Sequence, residues 1–311
     1  MNTEQKLNSS ASTRHYGKPM LHDVVCWWSG GVTSAVAIFL AIQLYGKDRC
    51  RVIFIDTKNE HPDTYRFLKD CEKWYGLKIE ILSNSKYDNI FEVWRKYKGL
   101  NFANGAICSS ELKRAVRFDF EKENDYQFQV FGFDIDEPKR AKNMRGNYPK
   151  SNPIFTLLLY GYTKKDCIEI LGENGIEIPQ AYKEGYLNNN CYNTGCVQGG
   201  IGYWQLRKKN MPNETHEMAM LEHELTNLKG EPVTMLRVTK GKEKYPLFLE
   251  PHPDYPDLPK FDEQKGRPPK PLFECNGHCS ANDGLKNETQ LEINYSNEEI
   301  QFRGVLENNI A

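Results

Sequence analysis

The sequence predicts an α/β fold in which helices cover both faces of a parallel sheet. Two observations predict it: short apolar segments alternate with helical segments along the first half of the chain, and a glycine-rich turn follows the first apolar segment. The predicted strands are 23–28, 51–56, 78–82 and 128–133. The predicted helices are 35–45, 62–75, 87–97 and 109–123. Strands that alternate with helices at this spacing are typical of a parallel sheet buried on both sides.

The composition is that of an ordinary globular protein. Of the 311 residues, 39% are hydrophobic and 27% are charged, and the net charge is -1. A chain of this kind can bury a core. Because its overall charge does not attract polyanions, any affinity for nucleotides or nucleic acid must come from local basic clusters.

The sequence also indicates a cellular compartment. No apolar run approaches the ~18 residues that span a bilayer, and the polar N-terminal segment lacks the apolar stretch of a secretory signal. We therefore expect a cytoplasmic protein that does not contact membranes. Since disulfides are rare in that reducing compartment, grouped cysteines are expected to bind metal or to do redox chemistry.

The chain divides into four predicted parts. Residues 1–20 form a flexible leader, residues 21–150 the nucleotide-binding α/β core, residues 151–283 a C-terminal lobe with a cysteine site, and residues 284–311 a polar tail. Within the lobe we expect a loop-rich stretch, a polar helix over 213–228 and a proline-rich extended segment over 250–273.

The glycine-rich turn has the residues of an oxyanion site. It consists of Ser29, Gly30, Gly31, Val32, Thr33 and Ser34, and it is called the SGGVTS loop below. Glycines allow backbone N–H groups to approach a ligand, serines add hydroxyl donors, and the following helix contributes a partial positive charge. The alternative is a plain glycine-rich turn between strand and helix. A Walker loop is excluded because no Gly-Lys-Ser/Thr follows.

With this loop the chain resembles the phosphoadenosine phosphosulfate (PAPS) reductase family of the PP-loop, or adenine nucleotide α-hydrolase-like, superfamily. Five stretches carry the resemblance: 28–34; 56–57 with 60–65; 108–113; 132–134 with Glu137 and Arg140; and 274–279. The resemblance implies a doubly wound, five-stranded parallel sheet, with a loop-rich, cysteine-containing lobe after it. It also implies that an adenine nucleotide, either ATP or a PAPS-like one, binds with its phosphates on the SGGVTS loop.

The resemblance assigns roles to residues beside the loop. Asp56 and Thr57, at the end of the second strand, would lie against the nucleoside; for Asp56 the alternative role is to cap a helix. PP-loop enzymes that cleave ATP usually carry Asp where this chain has Thr33. That departure disfavours metal-assisted ATP cleavage and is compatible with a sulfonucleotide reductase.

Basic side chains are needed to hold the anionic part of such a ligand. Lys113 and Arg117 lie four residues apart and so share one face of a predicted helix. Arg140 stands where the family places an anion-binding arginine, and a planar guanidinium suits sulfate and phosphate. A solvated basic face is the alternative for each. We predict Lys113 and Arg140 as catalytic residues that hold the sulfonate.

The nine cysteines fall into two groups. Four lie within strand or helix patterns and are expected to fill the core: Cys26, Cys50, Cys71 and Cys167. The other five lie in loops or at element ends: Cys108, Cys191, Cys196, Cys275 and Cys279. Two short-spaced pairs and a single thiol suit a tetrahedral site, either a [4Fe-4S] cluster or zinc, and reduced free thiols are the alternative.

The resemblance sharpens these assignments. It implies metal ligands at Cys108, Cys191 and Cys196, and it makes Cys275 similar to the redox nucleophile in the C-terminal Glu-Cys-Gly-x-His stretch of the reductases. This chain has one inserted residue there, and Cys279 in addition. Either Cys275 attacks sulfur while Cys279 completes the metal site, or both bind the metal. The glycine-rich segment 199–204 has no strand before it, so we expect it to pack around the cysteine site.

Three functions fit the sequence. The leading hypothesis is an enzyme similar to PAPS reductase, in which a cysteine thiolate reduces a sulfonucleotide and a thiol protein resolves the intermediate. The second is an ATP-pyrophosphatase-type sulfurtransferase that thiolates nucleic acid or makes phosphorothioates with a [4Fe-4S] cluster and a sulfur donor. The third is a non-catalytic nucleotide-sensing module. The sequence does not define the oligomeric state.

Overall fold

A five-stranded parallel sheet forms the centre of the protein. The computed structural model describes residues 22–103, 105–189 and 191–269. The order of the sheet is β3-β2-β1-β6-β7, and every neighbouring pair is parallel. The predicted fold class is therefore confirmed. The nine strands described are β1 (Val24–Trp28), β2 (Cys50–Ile55), β3 (Ile79–Leu82), β4 (Asn101–Phe102), β5 (Gly105–Ala106), β6 (Phe128–Val130), β7 (Pro153–Ile154), β8 (Leu236–Lys240) and β9 (Glu243–Leu247).

Helices connect and cover these strands. One π-helical turn, Ser110–Arg114, joins the fourth and fifth helices. The α-helices described are α1 (Val32–Tyr45), α2 (Pro62–Tyr75), α3 (Ile90–Tyr97), α4 (Ile107–Ser109), α5 (Ala115–Glu123), α6 (Pro138–Asn147), α7 (Thr156–Tyr160), α8 (Lys164–Glu173), α9 (Gln180–Lys183), α10 (Ile201–Asn210) and α11 (Pro212–Lys229). The helix predicted over 62–75 has the bounds of α2, and the one predicted over 109–123 is interrupted by the π-helical turn.

The topology places a crevice beside β1. From β1 the chain proceeds outward to β2 and β3, and it then returns to the other side of β1 to form β6 and β7. Loops that leave β1 and β6 therefore diverge to opposite faces at the carboxyl ends of these strands. In open α/β sheets this switch point is where ligands bind.

Two hydrophobic clusters sandwich the sheet, and a third fills the lobe. One face packs α1, α2 and α8 against the sheet, and all four cysteines predicted to fill the core lie in that cluster. Thr156 Oγ1 donates to Ala37 O at 2.8 Å, so α7 also packs on α1. The strand β7 and the helices α7 and α8 thus come from the segment after residue 150, which the sequence assigned to the lobe. The division into four parts stays a prediction.

The lobe is organised by a buried carboxylate. Glu222 of α11 has no exposed surface, and its two oxygens accept hydrogen bonds from Met235 N at 2.7 Å and Leu249 N at 2.8 Å. Burial raises the pKa of Glu222 to about 8, while the two backbone donors oppose the shift. These bonds hold both ends of the β8-β9 hairpin on α11.

The rest of the lobe agrees with the predicted pattern. The polar helix predicted over 213–228 is α11, and the described part of the proline-rich segment, 251–269, contains turns and one short 3₁₀ helix. Among the described helices, none combines the length and apolar character that crossing a membrane requires.

Candidate functional site

Three predicted motifs meet at one edge of the sheet. The SGGVTS loop follows β1, Asp56 and Thr57 follow β2, and the segment 132–134 follows β6 shortly after its last paired residue. Because β2, β1 and β6 are adjacent and parallel, their carboxyl ends lie side by side. The edge therefore gathers the residues that the sequence analysis assigned to a nucleotide.

The SGGVTS loop is held by a hydrogen-bond hub at Ser34. The Ser34 hydroxyl accepts from Ser29 N at 3.1 Å and from Ser29 Oγ at 2.9 Å, and it donates to Gly31 O at 2.9 Å. Gly30 has φ +84°, which favours glycine. Gly31 caps α1 in an extended conformation with φ -95° and no side-chain hydrogen bond. The loop thus presents a helix N-terminus behind a glycine, an arrangement that favours anions.

Asp56 does not cap a helix. Its Oδ1 accepts from Lys58 N at 2.7 Å and its Oδ2 accepts from the hydroxyl of Tyr65 at 2.9 Å. The cap of α2 is His61, whose Nδ1 accepts from the N–H of Asp63 at 3.2 Å. Asp56 is only partly buried, and these two hydrogen bonds fix its carboxylate at the edge of the site. The carboxylate takes no part in capping α2.

Arg140 lies in the first turn of α6, the helix that follows β6, and it pairs with one carboxylate. It is 3% exposed, its Nη1 donates to Glu137 Oε1 at 2.8 Å, and its guanidinium lies 4.3 Å from the ring centre of Phe133. Burial, and secondarily the charge of Glu137, raise the pKa of Asp134 to about 6. The arginine is therefore a pre-oriented cation in a largely desolvated pocket.

Lys113 is on the opposite side of the site, next to the thiols. It lies in the π-helical turn and is 4% exposed. Its charge acts on Cys191, whereas Arg117 stacks over Phe118 and Tyr148 and pairs with Glu121 at 3.2 Å. The wider π-helical turn separates the two cations that an uninterrupted helix would place on one face.

Two other predicted metal ligands, Cys108 and Cys196, are close enough to Cys191 to interact with it electrostatically. Burial raises the pKa of the Cys191 thiol well above its ordinary value, and the Lys113 ammonium opposes that shift. Three further groups are close enough to raise it: Glu60, Cys196 and Cys108. Cys191 has φ +48°, a left-handed conformation that is uncommon for a cysteine and that occurs preferentially at functional sites.

Two asparagines join this thiol loop to the nucleotide-binding segments. Asn189 Nδ2 donates to Gly30 O at 3.0 Å and to Thr64 Oγ1 at 3.0 Å. Asn59 Nδ2 donates to Thr194 Oγ1 at 2.7 Å. Sequence reasoning missed both asparagines, because each contact spans more than a hundred residues. The cysteine loop and the SGGVTS loop consequently form one site.

A buried arginine fixes the turn between Cys191 and Cys196. Arg207 of α10 has no exposed surface and donates to Tyr192 O at 2.8 Å and to Asn193 O at 3.0 Å. Gly195, with φ +89°, makes room for it, since an added Cβ would lie 2.7 Å from Arg207 Nε. The sequence analysis also missed this residue.

The metal assignment stays a prediction. Among the described residues, no group of three or more His, Cys, Asp or Glu side chains is arranged to hold a metal ion. The thiols of Cys108, Cys191 and Cys196 are not in disulfides with described residues, and they are soft donors of the kind that a cluster or zinc takes. The other two predicted residues, Cys275 and Cys279, lie outside the described residues.

Comparisons with known proteins identify a family for this chain. The sequence model of the phosphoadenosine phosphosulfate reductase domain matches residues 23–197, which is more than half of the chain. An uncharacterized nin region protein of Escherichia phage lambda is 30% identical over 45% of this chain and 56% of its own length. An uncharacterized protein of Methanocaldococcus jannaschii is 34% identical over 35% of this chain and 22% of its own length. The chain thus covers less than two thirds of either relative.

Two solved structures are similar to part of this chain. The phosphate complex of PAPS reductase from Candida auris is 17% identical and superposes with a TM-score of 0.41 over 53% of this chain and 78% of that chain. The U34-tRNA thiolase NcsA from Methanococcus maripaludis, with its [4Fe-4S] cluster, is 16% identical and has a TM-score of 0.32 over 67% of this chain and 74% of that chain.

Proposed function

We propose, since the chain belongs to the phosphoadenosine phosphosulfate reductase family, that it binds an adenine nucleotide on the SGGVTS loop and performs sulfur chemistry on it. The more specific proposal is reduction of a sulfonucleotide through a cysteine thiolate. The nucleotide would lie along the carboxyl edge of the sheet, with its phosphates at the N-terminus of α1 and its nucleoside near Asp56 and Thr57.

One observation carries the proposal. The amide of Asn189 donates to Gly30 O within the SGGVTS loop, and Cys191 follows only two residues later. A thiol cluster is thereby anchored directly to the loop that is suited to hold phosphates. This proximity supports a reaction between sulfur and a bound nucleotide more than it supports a nucleotide-binding site alone.

The reaction has a simple balance. The thiolate, at Cys275 in the leading version, attacks the sulfonate sulfur, so that a sulfur–sulfur bond forms and the bond from sulfur to the phosphate oxygen breaks. The electron pair leaves with the nucleotide phosphate. One thiol of a dithiol reductant then attacks the cysteine sulfur and releases sulfite, which leaves a mixed disulfide between enzyme and reductant. The second thiol attacks the reductant's sulfur in that mixed disulfide and releases the enzyme thiol, and the reductant becomes a disulfide.

The two buried cations have complementary roles in this scheme. Arg140 is suited to hold the sulfonate or the phosphate in a bidentate manner, and its cation stabilises charge that develops on the leaving phosphate. Lys113 lies against the thiol group and favours its ionised form. Thr33 supplies no carboxylate for a metal, which is consistent with a reaction that does not cleave ATP.

A second function is favoured by the convergence of Cys108, Cys191 and Cys196. A bound [4Fe-4S] cluster would supply a sulfur carrier or a redox centre, as in ATP-dependent thiolation. These three thiols would hold such a cluster with one further cysteine. The thiols described so far do not distinguish this chemistry from direct attack by Cys275.

The experiment that tests the nucleotide site is Gly31→Val. The φ of -95° at Gly31 accepts a side chain without backbone strain, so the valine should block a phosphate while the fold persists. We expect loss of binding of ATP and of 3′-phosphoadenosine 5′-phosphate in isothermal titration calorimetry.

The matched control for this experiment is Gly200→Val. Gly200 is also an extended glycine that caps a helix, with φ -79° and open space around its Cβ position. The Gly200→Val variant should bind nucleotides with the same affinity as the unaltered protein. Unchanged nucleotide affinity in a folded Gly31→Val variant would refute the site, and tight binding without sulfite formation from PAPS would favour the second function or a sensing role.

A further inference from the structure

A group of exposed cations surrounds a groove in the lobe. The groove has a volume of about 610 Å³, and its floor is the glycine-rich start of α10. Arg237, Lys265 and Arg267 line it, and no acidic residue does. All three side chains are exposed. Because the net charge of the whole protein is only -1, this concentration of positive charge is a local feature of the groove.

The β8-β9 hairpin extends the same charge beyond the groove. Arg237 pairs with Pro246 and Thr239 pairs with Lys244 in the antiparallel ladder. Side chains two residues apart on a strand share a face, so Lys244 points to the same side of the hairpin as Arg237. This set of four residues, Arg237, Lys244, Lys265 and Arg267, is called the basic groove surface below.

These four cations are available to a ligand. Within the part of the chain that the structure describes, the surface basic residues elsewhere often pair with a carboxylate, as Lys73 does with Asp70 at 3.6 Å and Lys165 with Glu169 at 3.3 Å. The four side chains of the basic groove surface form no ion pair or hydrogen bond with any described residue. Like charges that are gathered without counter-charges repel one another, and a polyanion relieves that repulsion.

The geometry favours an extended ligand over a small one. The cations are spread along the open β8-β9 hairpin and along the later segment 265–267, and they do not converge on one enclosed point. A repeating anion such as a phosphodiester chain can reach all of them, whereas a single phosphate can reach only a few. Hydrophobic walls at Met235, Leu236 and Pro268 suit the sugar and base faces between phosphates.

The groove also adjoins the thiol site. Its lining residue Tyr203 accepts a hydrogen bond at its hydroxyl from Cys196 N at 3.0 Å. The segment 265–267 is fixed against α10, because Gly266 N donates to Gln205 Oε1 at 3.1 Å. A strand that follows the groove would therefore pass close to the cysteines.

We propose that the basic groove surface binds the sugar-phosphate backbone of a nucleic acid. This inference does not depend on sulfonucleotide reduction, since it uses none of the residues that the proposed reaction uses. It assigns a role to the glycine-rich segment 199–204, which the proposed function leaves without one: Gly202 lets the segment 265–267 approach the start of α10, since an added Cβ there would clash with Arg267 O.

The test is a triple variant, Lys244→Gln with Lys265→Gln and Arg267→Gln. Its binding to single-stranded DNA of about 16 nucleotides, to RNA of the same sequence and to the DNA duplex is measured by fluorescence anisotropy between about 50 and 200 mM salt. For the unaltered protein we expect the logarithm of the affinity for single strands to fall with log salt at a slope of about -3, since four phosphates are contacted. The triple variant should bind at least about tenfold more weakly and lose about two units of slope.

The control is a second triple variant, Lys73→Gln with Lys122→Gln and Lys165→Gln. These lysines are 81%, 73% and 84% exposed on other helices, and the control loses the same three positive charges. It should bind nucleic acid like the unaltered protein, while both triple variants should keep their affinity for ATP in calorimetry. Equal weakening in the two triple variants would show an effect of net charge and would overturn the proposal. Salt-independent binding, or no binding of any probe by the folded protein, would overturn it as well.

Discussion

Gly132 lies directly against Ser34, the hub of the SGGVTS loop. A Cβ added at Gly132 would be 2.5 Å from Ser34 Cα and 2.6 Å from Ser34 N. Both of those atoms belong to the backbone, so they cannot move aside as a flexible side chain would. The end of β6 therefore sets the position of the loop that follows β1.

The first prediction is that Gly132→Ala weakens nucleotide binding without unfolding the protein. Overpacking of this kind costs about 1–3 kcal/mol, which corresponds to roughly a tenfold to hundredfold loss of affinity if the shift falls on the loop. Calorimetric titration with ATP and with 3′-phosphoadenosine 5′-phosphate measures it. Gly146→Ala is the control, since an added Cβ there meets nothing within 4 Å. Equal affinities in the two variants would contradict the coupling.

A second prediction concerns Arg207, which donates to the carbonyl groups of Tyr192 and Asn193. Arg207→Gln should remove the charged donor from two carbonyls, of which that of Tyr192 is buried, and an unsatisfied buried group costs about 1–3 kcal/mol. The turn between Cys191 and Cys196 should then open more often. We expect alkylation of these two thiols, followed by mass spectrometry, to become more than about tenfold faster.

Lys209→Gln is the control for Arg207→Gln. Lys209 is an exposed residue on the same helix, so its replacement changes the charge equally without touching the turn. If Arg207→Gln and Lys209→Gln were alkylated at the same rate as the unaltered protein, the turn would not depend on the arginine.

Much of the fold could be predicted from local patterns. The four longer strands of the sheet are rich in apolar residues, and the first, β1, is a continuous apolar run directly before the SGGVTS loop, so the loop after β1 was placed correctly. The strand β7 was missed because two residues, Pro153 and Ile154, carry no periodicity. The π-helical turn was also missed, because it has no sequence signature. It nevertheless contains Lys113, whose charge acts on Cys191.

The site could be predicted only in part, for a physical reason. Motifs such as the SGGVTS loop are suited to bind ligands through their own backbone, so a short run of adjacent residues is enough to predict them. Asn189 and Arg207 act through contacts with distant backbone carbonyls, and an asparagine or arginine in a loop-rich segment has no local feature that marks such a contact. Tertiary structure was needed to find both.

A third prediction uses the pKa of Glu222. Its ordinary value is 4.5 and burial raises it to about 8 in the folded protein. Between these pH values the folded state binds more protons than the unfolded state. The stability contributed by this group is therefore complete below about pH 4.5, and it is lost as the pH rises through about 8. Urea denaturation should show the free energy of unfolding falling by up to about 1.4 kcal/mol per pH unit in that window.

The variant Glu222→Gln separates the titration of Glu222 from that of the other ionisable groups. Glutamine has nearly the same shape, but it cannot ionise and it directs an N–H₂ group at one of the backbone donors. The variant should be less stable at low pH and should lose most of the decline between pH 5 and pH 8, values close to the two pKa limits. A decline as steep in Glu222→Gln as in the unaltered protein would assign the titration to another group.

The last prediction decides between the two chemistries at the cysteines. Cys108, Cys191 and Cys196 should bind a metal centre together with Cys275 or Cys279, because soft thiolates gathered at one site favour iron–sulfur clusters or zinc. Anaerobic purification followed by iron, zinc and sulfide analysis tests this. About four irons per chain would establish a [4Fe-4S] cluster, and one zinc would indicate a structural site. Full metal retention in both Cys191→Ser and Cys196→Ser would refute the site.

The fourth ligand then separates the mechanisms. If Cys279→Ser loses the metal while Cys275→Ser keeps it and loses sulfite formation, Cys275 is free to attack the sulfonate and the reductase assignment is supported. If Cys275→Ser also removes the metal, that cysteine is a ligand, and sulfur transfer by the cluster becomes the better account. Cys167→Ser is the matched control, since Cys167 is buried in the core beneath the sheet. Its metal content should equal that of the unaltered protein, because its thiol contacts hydrophobic side chains and lies apart from the site.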